Sequence, residues 1–123
     1  MLAKEANQFV VAIGAPTIAG EDRKTVAALL YYMREQPLQV LAWPSPDVPT
    51  FDMTRPLTNE ARQPIVFLTE CASARRLANY YANVDKIGEI RPATGPTSSR
   101  YYTVFRLSGP RGEFTALPPC IPD

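Results

Sequence analysis

Pro64-Ile65-Val66-Phe67-Leu68-Thr69 is an uninterrupted apolar and β-branched run entered through a proline. It is too short for a buried helix and reads as a strand covered on both faces. A helix is expected directly after it, over 72–83, because Leu77, Tyr80, Tyr81 and Val84 fall on one face while Arg75, Arg76, Asn79 and Asn83 cover the other. The same alternation is read upstream. Residues 8–13, Gln-Phe-Val-Val-Ala-Ile, form a short apolar run closed by Gly14-Ala15-Pro16 and are expected to be a strand. A helix over 21–36 opens on Gly20-Glu21-Asp22, which puts carboxylates at the positive end of its dipole. It carries Val26, Leu29, Leu30 and Met33 at i, i+3, i+4 and i+7, and it stops at Pro37. Residues 38–43 read as a second buried strand, 84–90 as a weaker one, and 100–107 as a strand with one buried face. Helices alternating with apolar strands point to an α/β fold: a small, mostly parallel sheet with two main helices, strand-helix-strand units and an antiparallel strand at an edge.

The length of 123 residues suits one domain, with a core over about 8–108 and a proline-rich tail over 109–123. Thirteen prolines imply long non-repetitive stretches, and five of them lie between 44 and 64, where no helical or strand period is visible. The longest uncharged run, 6–20, is shorter than the ~20 apolar residues of a membrane-spanning helix and contains Asn7, Gln8, Gly14 and Pro16.

Charge and composition exclude several kinds of chemistry. A net charge of +1 gives no field suited to nucleic acid. The chain has no histidine and two cysteines, which rules out Ser-His, Cys-His, histidine-metal and four-cysteine zinc sites within it. No phosphate-binding loop motif follows any strand. The carboxylates Asp47, Asp52, Glu60 and Glu70 are scattered, with nothing in their spacing to pair them for glycosyl chemistry. No catalytic residue, metal ligand or cofactor site is therefore assigned.

Candidate binding residues remain. Thr97, Ser98, Ser99 and Arg100 bring hydroxyls and a guanidinium into one loop that suits a phosphate, or else forms a polar connection to the last strand. Arg75 and Arg76 on an exposed helix face suit anionic lipid headgroups, or else form a solvated face. Trp43 at a strand end suits stacking on a sugar ring, or else closes the rim of the core. Cys71 and Cys120 are a possible disulfide that would tie down the tail, or two separate thiols.

Four strings together resemble a known family: Val26-Ala27-Ala28-Leu29-Leu30-Tyr31-Tyr32, Phe51-Asp52-Met53-Thr54-Arg55-Pro56-Leu57, Pro64-Ile65-Val66-Phe67-Leu68-Thr69 and Gly95-Pro96-Thr97-Ser98-Ser99-Arg100-Tyr101-Tyr102. Over about 20–108 their order is similar to the soluble C-terminal domain of bacterial membrane glycosyltransferases of the protein-mannosyltransferase and aminoarabinose-transferase type. The resemblance implies a non-catalytic, periplasm-facing domain, excised from an inner-membrane protein that takes a sugar from a polyprenyl-phosphate donor. The implied partners are the membrane region of the parent protein, the polyprenyl-phosphate sugar and anionic lipid, with no nucleic acid. Family members carry their catalytic carboxylates in loops of the membrane region, so no catalytic residue transfers to this chain. The alternative expectation is a free-standing α/β ligand-binding or protein-interaction domain.

Overall fold

A computed structural model describes residues 2–21, 23–33, 38–43, 55–56, 61–71, 74–90 and 102–112. In chain order its elements are α1 (Leu2–Ile13), β1 (Thr17–Gly20), α2 (Arg23–Tyr32), β2 (Gln39–Ala42), β3 (Arg55–Pro56), β4 (Ile65–Thr69), α3 (Arg75–Ala78), β5 (Tyr81–Ile90) and β6 (Tyr102–Pro110). The strands form one sheet in the order β3-β2-β1-β4-β6-β5. The outermost, β3, is only two residues long.

The expected mostly parallel sheet with two helical units is corrected by this arrangement. Strand residues outnumber helical ones, and the sheet is mixed. Parallel ladders pair four residues of β1 with β2, four of β1 with β4 and two of β2 with β3. The antiparallel ladders are longer, pairing five residues of β4 with β6 and eight of β5 with β6. The antiparallel part is not confined to an edge, because β6 lies inside the sheet beside β4.

Two local readings account for the difference. Residues 8–13 belong to α1, because Ala6, Phe9, Val10 and Ile13 complete an i, i+3, i+4, i+7 stripe that packs on the sheet. A reading that begins at Gln8 misses Ala6 and sees only a strand-length run. Gly14, at φ 64°, closes this helix, with the Ala15 N–H donating to the Val10 carbonyl at 3.0 Å. The second reading is the helix over 72–83, which shrinks to the four residues of α3. From Tyr81 onward the backbone is drawn into a ten-residue strand by pairing with β6, and this long-range ladder overrides the local helical spacing. Ile65–Thr69 and Gln39–Ala42 do form strands.

Alternating side chains supply two cores, one on each face of the sheet. On one face Ile18, Val40, Val66, Leu68 and Val104 pack under α1 and α2 with Val10, Val26, Leu29 and Met33. On the other, Ala19, Leu41, Ile65, Phe67, Phe105 and Leu107 pack with Trp43, Tyr81 and Leu77 of α3. All five residues of β4 are buried, as a strand covered on both faces must be.

The edge strand β5 meets α1 through a close approach. Gly88 sits just past a register shift, and a Cβ there would overlap the tip of the Phe9 ring. Gly88→Ala is therefore expected to cost about 1–3 kcal/mol of unfolding free energy, as overpacking does. Phe9→Leu in the same background should recover part of that loss. Denaturant titration checks this, and a Gly88→Ala variant within about 0.5 kcal/mol of the parent would show that the ring moves aside freely.

Candidate functional site

The parallel half of the sheet has a topological switch point. From β1 the chain goes through α2 to β2 on one side, whereas β4 lies on the other side of β1. Open parallel sheets hold ligands outside the carboxyl ends of the strands at such a point. Glu21, directly after β1, and Thr69, the last residue of β4, stand there side by side. The β1–β4 ladder runs one residue further to fix them, the Glu21 N–H donating to the Leu68 carbonyl at 3.1 Å.

By strand alternation Glu21 and Thr69 share the face of Ala19 and Phe67, which is the face covered by α3. There the Arg76 guanidinium grips the Glu21 carboxylate with both arms. Nη1 donates to Oε2 at 2.9 Å and Nη2 to Oε1 at 2.6 Å. The Thr69 hydroxyl donates to Glu21 Oε1 and accepts from the Cys71 N–H at 3.0 Å, which locks its direction. Thr103 is opposite Thr69 in the β4–β6 register and fully buried, and its Oγ1 has no hydrogen-bond partner among the described residues.

The electrostatics of this cluster are those of a strut. Burial on its own pushes the Glu21 carboxyl up. Hydrogen bonds from Arg76 and Thr69 together with the Arg76 charge outweigh that, and they hold it below the usual carboxylate value of 4.5. Arg76 is 6% exposed and Glu21 30%. The carboxylate is thus ionised and neutralised in place, which is unlike a general acid kept protonated or a base left open to substrate.

The residues singled out from the sequence fall in different places. Arg75 is exposed, but Arg76 is buried and does not share an exposed helix face with it. The correction has a simple cause: four residues make a single turn, and the side chain after Arg75 turns in toward Glu21. Trp43 is 4% exposed, with edge-to-face contacts to Phe67, Tyr80 and Tyr81 at centroid distances of 5.6, 5.1 and 6.5 Å. Its ring is a core element and not a platform open to sugar. The Tyr81 hydroxyl is buried in this cluster, and its pKa is raised above the ordinary tyrosine value by desolvation.

Cys71 is buried and is a half-cystine, and the chain's other cysteine, Cys120, lies outside the described residues. So do Thr97, Ser98, Ser99 and Arg100. Glu21, Thr69 and Thr103 were not singled out. The sequence places Glu21 at a helix start because β1, only four residues long, carries too little hydrophobic pattern to be read. Among the described residues no group of His, Cys, Asp or Glu is arranged to hold a metal ion, and no helix is long and apolar enough to cross a membrane. No family model, curated protein or solved structure matches the chain.

Proposed function

We propose that this chain is the non-catalytic, periplasm-facing domain of an inner-membrane glycosyltransferase that uses a polyprenyl-phosphate sugar, and that it shapes or covers the donor or acceptor site. The observation that carries the non-catalytic part is the Glu21–Arg76 pair. At the position where a parallel sheet offers its strand ends to a ligand, this chain has a carboxylate bound on both oxygens by a buried arginine. Such a pair braces α3 against the sheet and leaves no poised acid. The transferase part rests on the order of the four strings that resemble the soluble domain of these enzymes, Arg55-Pro56 and Ile65-Val66-Phe67-Leu68-Thr69 among them.

A second reading, a free-standing ligand-binding domain, draws on the buried Thr103 hydroxyl beside the same strand ends. The two differ in what removal of the domain does. Deleting the codons for this chain from its native gene should abolish sugar transfer from a polyprenyl-phosphate donor in membrane preparations. The purified chain alone should show no transfer and no glycosidase turnover. Transfer by the purified chain that a Glu21→Gln change abolishes would overturn the proposal, as would membrane activity unaffected by the deletion.

A further inference from the structure

We infer that the outer face of α3, framed by Arg62, Arg75 and Arg111, is the surface this domain lays against an anionic bilayer. The inference takes its occupant from the membrane-apposed reading above, but its residues come from the geometry.

Arg75 and Ala78 are one turn apart on α3, so they lie on the same side of the helix. Arg111 is tied to the end of that turn twice. Its backbone N–H donates to the Tyr80 carbonyl at 2.7 Å, and Nη1 reaches the Ala78 carbonyl at 3.5 Å. Arg62 is drawn to the same end of the sheet by its neighbour Gln63, whose Oε1 accepts from the Gly109 N–H at 2.6 Å, two residues before Arg111. All three arginines are exposed. Among the described residues none of them has a carboxylate within 4.0 Å.

Among the described residues the other cations of this half of the chain stand differently. Arg76 is consumed by Glu21, and Lys86 is paired with Glu89 at 2.9 Å. Arg106 is exposed and has no carboxylate within 4.0 Å among the described residues either, but it stands on the opposite face of the sheet, the face that carries Val66, across the β5–β6 ladder from Asp85. Among the described residues Arg75 and Arg111 thus stand beside the short helix, and Arg62 at the same end of the sheet, without a carboxylate partner. Three guanidiniums without a carboxylate partner among the described residues complement a layer of lipid phosphates, and a neutral surface would offer them nothing. Screening over about 8 Å at physiological ionic strength means that only arginines close to the headgroups contribute.

The test is sedimentation of the 123-residue chain with phosphatidylglycerol-containing vesicles and with pure phosphatidylcholine vesicles, at low and high salt. Binding is expected to the anionic vesicles alone and should weaken as salt rises. Each arginine near the headgroups is worth about fivefold in affinity, so Arg62→Gln/Arg75→Gln/Arg111→Gln should lose about a hundredfold. The pair Arg62→Gln/Arg75→Gln, which leaves the Arg111 contacts to α3 intact, should lose about twenty-five-fold on the same basis. Arg106→Gln removes one charge on the opposite face and should change affinity less than about twofold, against about fivefold for Arg75→Gln alone, if only near charges act. Equal binding to both vesicle types, no binding to either, or anionic binding that survives the triple change would overturn the inference. Those outcomes leave the transferase reading to its own deletion assay. Arginine-dependent binding alongside membrane sugar transfer that ignores the deletion would keep this surface and remove the transferase.

Discussion

Arg76→Ala is expected to destabilise the domain by about 2–4 kcal/mol, the second largest effect of any single change considered. Breaking a buried ion pair usually costs about 3–5 kcal/mol because the remaining charge is stranded, and the partial exposure of Glu21 reduces that somewhat. The cost arises from abandonment of the carboxylate more than from loss of attraction. Glu21→Leu/Arg76→Met, which removes both charges, should therefore be closer to the parent than either single charge deletion. The pH dependence follows from the depressed carboxyl. Stability contributed by ionised Glu21 is fully present above the unfolded value near 4.5 and is lost as pH falls through the lower folded value. Glu21→Gln should flatten that part of the acid limb. Urea unfolding at neutral pH and at successive acid steps measures both effects, and an Arg76→Ala variant as stable as the parent would remove the strut from this account.

Trp43→Ala should cost more, about 3–5 kcal/mol. The side chain is almost fully buried, three aromatic edges meet it, and its backbone N–H donates to the Gly20 carbonyl at 3.0 Å, which fixes the end of β2 beside β1. Truncation leaves a cavity under α3 and removes edge-to-face contacts worth about 0.5–1.5 kcal/mol each. Trp43→Phe, which keeps a ring, should recover a substantial part. A sugar-stacking tryptophan would behave in the opposite way, its truncation leaving unfolding within about 0.5 kcal/mol of the parent. Thermal and urea denaturation of the two variants separates the roles.

What could be read from the sequence depended on how local the deciding force was. Ile65–Thr69 is an apolar run too short for any other buried element, and it is a strand. The stripe of Val26, Leu29 and Met33 marks α2 and the residue that follows it, and all three side chains are buried. Residues 8–13 misled because a window of six cannot separate a buried strand from one face of a helix, and the deciding residues were Ala6 upstream and Gly14 downstream. Residues 81–83 misled for a different reason, since their helical spacing is real and only pairing with β6, some twenty-five residues later, makes them a strand. The site was less legible than the fold. Glu21, Thr69 and Arg76 are separated by up to 55 positions and carry no motif, so only the strand order brings them together.

The most direct test of the account is to raise antibodies to this chain and probe fractionated cells of its source, with protease added to intact spheroplasts. The proposal predicts a polypeptide well above 13.6 kDa in the inner-membrane fraction whose epitope the external protease removes. A 13.6 kDa band in the soluble fraction, or a membrane species whose epitope survives until the spheroplasts are lysed, would contradict it.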